Sequence, residues 1–318
     1  MSLTILVLFI CAAPLIVYRI KRHRRRVRRR DRENWSIGIY EGLTPFTLQP
    51  KEGVVNPIIS AGDVTDVKAR FVADPFMIEH NNEFHLFFEV LNSSRNKGEI
   101  AHARSSDLKR WTYNAVVLRD HAHLSYPYVF SHDGSIYMIP ECLKSKEIRL
   151  YKAAPFPVKW KHAATLIKGK NRFAPLSDPS IVQHNGRWYL FINARKLNNL
   201  HLFSSDTLLG PWSEHPKSPV ISESLNYSRP GGRIVAHEGA LYRFSQDGFP
   251  HYGSKVWAFR ITELSALSFR EELVPGGPVV EAGAEAWNSV GMHTVDPHRQ
   301  KNGHWVAIVD GLEHRNPV

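Results

Sequence analysis

The sequence predicts an all-β, five-bladed β-propeller preceded by one transmembrane helix, and three observations predict it. A hairpin pattern recurs five times, its turns spaced 52, 52, 53 and 64 residues apart. Two further strand-like stretches separate successive hairpins, so each repeat holds the four antiparallel strands of one blade. Finally, only eight residues follow Asp310, too few for the outer strands of the last repeat, while a spare strand pair stands near the start of the propeller. A β-sandwich would account for the alternation of apolar and polar residues but not for the fixed register.

In chain order, residues 3–18 (LTILVLFICAAPLIVY) form an uninterrupted apolar run of sixteen residues without charge. As a helix this run spans roughly 24 Å, and snorkelling of Arg19, Lys21 and Arg22 extends it toward the roughly 30 Å of a hydrocarbon core. A cleaved signal peptide would carry its positive charges ahead of the apolar run, whereas here they follow it. The chain therefore divides into an anchor at 1–18, a polybasic segment at 19–34 and a propeller at 35–318. The positive-inside tendency places the basic cluster, and with it the propeller, on the cytoplasmic side, where the cluster also attracts anionic headgroups.

The same cluster explains the charge. Of the 318 residues, 41 are Lys or Arg and 30 Asp or Glu, a net of +11. Residues 19–32 hold ten of those bases and a single acid, leaving 31 bases against 29 acids elsewhere. The body is nearly neutral, which excludes a basic groove and with it a nucleic-acid partner. Two cysteines, Cys11 and Cys142, exclude a disulfide-stapled scaffold.

The five hairpins turn at Asn81-Asn82, Asp133-Gly134, Asn185-Gly186, Glu238-Gly239 and Asn302-Gly303. Such pairs supply the positive φ that two-residue hairpins need. Residues 100–104 with 111–119, and 148–152 with 160–167, read as outer strands. Residues 37–40 followed by Pro45-Phe46 resemble 148–151 followed by Pro155-Phe156, so the first folded segment is expected to complete the fifth blade and leave no open edge.

Counted against the turns, the hairpins open at Asp74, Tyr126, Asp178, Gly231 and Val295, the last followed by Asp296. Fifteen residues on they close at Glu89, Glu141, Asn193, Gln246 and Asp310. In a propeller both sets meet around one mouth at the axis. Carboxylates and aromatic rings gathered there suit a polyhydroxylated ligand, because carboxylates accept hydroxyl protons and ring faces pack on sugars. An Asp-Pro pair can also be a simple strand-entry device, and Glu89 can cap neighbouring amides. Tyr126 suits either a ring platform or a core position. Asn193, Gln246 and Asp310 read as residues that hold the others in place.

ADPF at 73–76, SDPS at 177–180, SSDLKRW at 105–111 and GMHTV at 291–295 resemble the five-bladed propellers of glycoside hydrolase families 43, 62, 32 and 68. SYPYVF at 125–130, MIPE at 138–141 and RPGGR at 229–233 resemble more closely the propeller domain that precedes the transferase domain in plant glucosamine inositolphosphorylceramide transferases. The resemblance implies that Asp74 matches the general base of family 43 and Asp178 the second aspartate that tunes the acid. It places the proton-donating Glu beside Pro230-Gly231, where this chain has Arg229 and Arg233 instead. An arginine cannot donate that proton. Glu89 or Glu141 could do so if burial raised its pKa, since inversion needs a protonated carboxyl opposite a carboxylate. The two arginines suggest an anionic group on the substrate.

The candidate catalytic residues are thus Asp74, Asp178 and Glu141. The candidate ligand contacts are Glu89, Tyr126, Asn193, Arg229, Arg233, Gln246, Asp296 and Asp310. His293 matches a fifth-blade histidine that in many relatives helps hold a central cation, which implies Ca2+ there; no other cofactor is required. His102, His121, His123, His184 and His237 read as surface or strand residues. The expected function is membrane-anchored glycan processing in envelope or lipid-linked glycan metabolism, on a glycan, glycolipid or nucleotide sugar. The alternative is a catalytically silent sugar- or glycolipid-binding propeller that works with a glycosyltransferase partner.

Overall fold

Five antiparallel sheets form the wheel. The computed structural model describes residues 33–143, 145–168 and 175–314. Blade one comprises Ala69–His80, Glu83–Asn92, Lys97–Ser105 and Thr112–Leu118, paired in that order from the axis outward. Blade two follows with His123–His132, Ser135–Leu143, Glu147–Ala153 and Trp160–Lys168, and blade three with Leu176–His184, Arg187–Ala194, Asn199–Ser205 and Ser213–Glu214. Blade five joins the two ends of the chain: Val295–Arg299 and Trp305–His314 come from the C-terminal side, Glu33–Thr44 and Thr47–Pro50 from the N-terminal side. Closure by the first folded segment is therefore observed, with Pro45-Phe46 forming the turn between its two strands rather than a strand of its own.

Blade four departs from the pattern. Its innermost strand is split into Arg229–Pro230 and Val235–His237, both paired with Ala240–Asp247. Between them Gly231 donates to the Phe244 carbonyl of blade four at 2.9 Å and accepts from the Val295 amide of blade five at 2.9 Å, and Gly232 forms a parallel bridge to Val295. Glycine is obligatory there: a Cβ on residue 232 would lie 1.8 Å from the Val295 carbonyl oxygen.

The hairpin chemistry follows the sequence at four of the five turns. Asn81-Asn82, Asp133-Gly134, Asn185-Gly186 and Glu238-Gly239 all have positive φ at both positions. At the fifth, Arg299 pairs with Trp305 and the loop between them is longer, closed by the Gln300 amide on the His304 carbonyl at 2.7 Å. Among the described residues no helix is long and apolar enough to cross a membrane. The apolar run at 3–18 and the basic cluster lie outside the described residues.

The cores lie between blades. Alternate side chains of each strand face one neighbouring blade, so Phe76, Phe87 and Ile100 of blade one pack against Leu124, Tyr126 and Met138 of blade two. His102 belongs to this layer rather than to the surface, being wholly buried. Asn114 Nδ2 lies 3.2 Å from its Nδ1, and its Nε2 lies 3.1 Å from His85 Nδ1. With the Asn114 amide donating, His102 donates in turn to His85, and both rings are neutral.

Burial, then the proximity of His85, lowers the His102 pKa to about 3. Because the folded value lies below the ordinary 6.5, the unfolded chain binds the extra proton, and stability falls as pH drops below 6.5. The expected loss from this residue is about 2 kcal/mol at pH 5. Denaturant titrations of the wild type and His102→Gln at pH 7 and pH 5 check this. The variant should start less stable and change less between the two.

Candidate functional site

The innermost strands of blades one to three do not begin at Asp74, Tyr126 and Asp178, as the turn count predicts. They begin earlier, and these residues sit inside them at β-bulges. In blade one Ala73 pairs with Glu89 and Phe76 with Phe87, so Asp74-Pro75 oppose one residue. Ser125 with Glu141, then Tyr128 with Ile139, repeat the arrangement in blade two. Ser177 with Asn193, then Ser180 with Phe191, repeat it in blade three. At each bulge the first residue is left-handed, with φ of 53° at Asp74, 48° at Tyr126 and 51° at Asp178. This region is uncommon for residues with a Cβ, and three equivalent occurrences in one molecule mark a designed feature.

Asp74 meets the closing strand of the wheel. Its amide donates to Asp310 Oδ2 at 3.0 Å, and Thr294 Oγ1 donates to its Oδ1 at 3.0 Å. His293 lies between the two acids, with Nδ1 2.8 Å from Asp310 Oδ2 and Nε2 3.4 Å from Asp74 Oδ1. Trp35 stacks on the same imidazole at a 4.0 Å centroid distance. Burial opposes the imidazolium, but Asp310 and Asp74 outweigh it and raise His293 to about 8. Burial raises the Asp74 carboxyl to about 7 against the pull of His293, helped by the charges of Glu89, Asp178 and Asp310.

Asp178 anchors the other half of the mouth. Its Oδ2 accepts from Arg229 Nε and lies 3.4 Å from Gln246 Nε2. The Asp178 amide donates to Glu141 Oε2 at 3.2 Å. Burial, then the charge of Asp178, pushes the Glu141 carboxyl well above its ordinary range, against the pull of Arg229 and Arg195. Asp178 Oδ1 and Gln246 Oε1 are both buried and, among the described residues, accept no hydrogen bond.

Other predicted residues serve different ends. Arg233 is committed to the hub: Nε lies 2.6 Å from Asp296 Oδ1, and one Nη donates to the carbonyls of Met77 at 3.1 Å and Val129 at 2.9 Å. Asp296 also accepts from the Met77 amide at 2.6 Å and lies 2.7 Å from His298 Nε2. Tyr126 is wholly buried, its hydroxyl 2.9 Å from Ser180 Oγ and accepting from the Gly232 amide at 2.6 Å. It plugs the hub as a core residue and offers no ring face to solvent. Asn193 ties its blade to the segment entering blade four through Ser228 Oγ at 3.0 Å.

Glu89 faces His123, whose Nε2 lies 3.0 Å from Oε1 while Nδ1 accepts from the Gly98 amide at 2.9 Å. With Nδ1 accepting, the neutral ring carries its proton on Nε2, the nitrogen that faces Glu89. Residue spacing gave no sign of His123, Trp35, Tyr252, Thr294 or Arg195 as neighbours of the site. They lie on loops and on strand residues outside the repeated hairpin text, where the fifteen-residue count does not reach.

Asp74, His293 and Asp310 each offer one metal-ligand atom, all within 4.8 Å of one another. These three atoms would supply only part of the six to eight ligands that calcium takes, the rest being further carboxylate oxygens or water, and both ring nitrogens face carboxylates. As arranged, the protonated imidazole supplies the positive charge at this position.

The wheel resembles solved structures at low identity. A thermostable family-43 glycoside hydrolase superposes with a TM-score of 0.57 at 15% identity, covering 83% of this chain and 96% of that one. The α-L-arabinanase of Cellvibrio cellulosa, solved with arabinohexaose, gives 0.54 at 16% identity, covering 75% and 90%. These likenesses concern the fold alone. In sequence, glucosamine inositolphosphorylceramide transferase 1 of Oryza sativa subsp. japonica is 37% identical over 302 residues, 87% of this chain and 40% of that protein. Its counterpart in Arabidopsis thaliana is 33% identical over 307 residues, 89% of this chain and again 40% of the other. The chain thus spans about two fifths of the length of these relatives. Residues 28–312 match the family described as "Glucosamine inositolphosphorylceramide transferase 1, N-terminal". With that match extending over nearly the whole propeller, the chain belongs to this N-terminal domain family.

Proposed function

We propose that the mouth recognises a glycan, whether free or as part of a glycolipid or nucleotide sugar, and that the propeller serves glycosyl transfer as a binding module. The observation that carries this reading is the pair of buried acceptors without donors, Asp178 Oδ1 and Gln246 Oε1. A buried acceptor left unpaired costs about 1–3 kcal/mol, which sugar hydroxyls would recover on binding. Arg229 supports binding over hydrolysis, because it occupies the blade-four position where the resemblance places the acid and pairs with Asp178. The relatives, named as glycosyl-transferring proteins, support the same setting. The apolar run at 3–18 and the ten bases after it support attachment to the cytoplasmic face of a membrane, with a glycosyltransferase as partner.

One observation favours a second, enzymatic reading: burial beside Asp178 pushes the Glu141 carboxyl above its ordinary range, the direction a general acid needs. The test is calorimetric titration with nucleotide sugars, phospholipid glycans and arabino- or xylo-oligosaccharides, with released reducing sugar measured in parallel. Saturable binding without release is expected for at least one class, weakened about tenfold or more in Asp178→Asn. Release that disappears in Asp74→Asn and Glu141→Gln would establish the enzymatic reading instead. The absence of any saturable binding would overturn both.

A further inference from the structure

Arg195 stands just beyond the second strand of blade three, on the mouth side of the wheel. Its amide donates to the Pro175 carbonyl at 3.2 Å, fixing the backbone, while the side chain is 37% exposed. One Nη lies 3.7 Å from Glu141 Oε1. From the other side an Nη of Arg229 lies 3.9 Å from Glu141 Oε2. Both separations exceed hydrogen-bond reach, so two guanidinium groups flank one carboxyl without being bonded to it. Arg229 spends Nε on Asp178 and lays its plane 5.0 Å from the ring centre of Tyr252, itself 37% exposed. Among the described residues, neither its Nη groups nor the Arg195 side chain donates a hydrogen bond within the protein.

We propose that Arg195 and Arg229 form an anion subsite at the edge of the mouth, which takes a phosphate or carboxylate substituent of the bound sugar. This deepens the sugar-binding reading and rests on it. The local charges point the same way. Two guanidinium groups face Asp178 and Glu141, and burial beside Asp178 favours the neutral form of Glu141. The N–H donors that these two guanidinium groups leave unused form planar arrays that match phosphate and carboxylate oxygens. Arg195 acts here as a specificity-determining residue: it selects for a charged substituent and leaves hydroxyl recognition to Asp178 and Gln246.

The test titrates the full chain with inorganic phosphate, glucose 6-phosphate, glucuronic acid and glucose, followed by tryptophan fluorescence and calorimetry. Arg195→Gln is the main variant, because the side chain is 37% exposed and makes no hydrogen bond to the buried Glu141; Arg195→Lys retains the charge but not the fork. The expected result is tighter binding of the anionic sugars than of glucose, weakened about tenfold in Arg195→Gln and partly restored in Arg195→Lys. Glucose titrations should be the same in all three proteins. Phosphate binding alone separates a bare anion site from one that needs the sugar, and would leave this subsite standing while counting against the sugar reading. Equal binding of glucose and the anionic sugars, unchanged by Arg195→Gln, would overturn the subsite while the sugar reading survived. No binding of any probe would overturn it as well.

Discussion

Arg233→Ala is expected to destabilise the propeller by about 3–5 kcal/mol, a large share of the 5–15 kcal/mol typical of a folded domain. The side chain reaches from blade four to three other blades: Asp296 of blade five, the Met77 carbonyl of blade one and the Val129 carbonyl of blade two. It also lies 5.0 Å from the Tyr128 ring centre. Truncation leaves Asp296, which has no solvent exposure, as a buried charge with only the Met77 amide and His298 beside it. The control is the double variant Arg233→Met with Asp296→Leu, which removes the charge together with its partner. It should be more stable than the single variant, because the penalty comes from stranding the carboxylate. Denaturant titrations of the three proteins give the comparison.

Burial alone would raise the Asp296 carboxyl, but Arg233 and His298 hold it below its ordinary value of 3.8. Its contribution is accordingly present above that value and lost as pH falls through the lower folded one.

Asp310→Ala is expected to cost about as much and to dismantle the mouth as well. The carboxylate accepts from the amides of His293 at 3.0 Å and Thr294 at 2.9 Å, and from the Asp74 amide at 3.0 Å. It thereby fastens blade five to blade one. Its loss leaves three buried amides unpaired and removes the main support for the His293 imidazolium. In the wild type His293 is raised to about 8, above the ordinary 6.5. That contribution is complete below 6.5 and lost as pH rises through 8, about 2 kcal/mol in all. The variant should lose this decline, and NMR titration should place its His293 pKa well below that of the wild type. A variant that keeps both the stability and the His293 pKa of the wild type would show that blades five and one are held together elsewhere.

Part of this was legible in the sequence because hairpins carry local signals. Asp133-Gly134 and Asn185-Gly186 announce positive φ, and apolar alternation around them announces strands. A fixed spacing then announces blades. The shortfall of chain after Asp310 predicted that residues 37–40 would close the ring, as they do. The same count gathered Asp74, Asp178, Glu141, Gln246 and Asp310 around the hub.

The division of labour among those residues was not legible. Arg229 and Arg233 share one short motif, yet one pairs with Asp178 at the mouth and the other pins four blades together. Nothing local distinguishes them, because each finds its partner more than 50 residues away. His102 lies on a strand, as expected, but nothing local marks it as buried; only the meeting of blades one and two covers it.

The sequence by itself determined the wheel, its five sectors and the residues that reach its axis, because turns and alternation are properties of neighbouring residues. Only the tertiary structure decided which carboxylates are matched, which acceptors receive no hydrogen bond from the described residues and where Arg195 stands. Those outcomes depend on burial and on charges brought together from distant segments, and neither exists until the ring has closed.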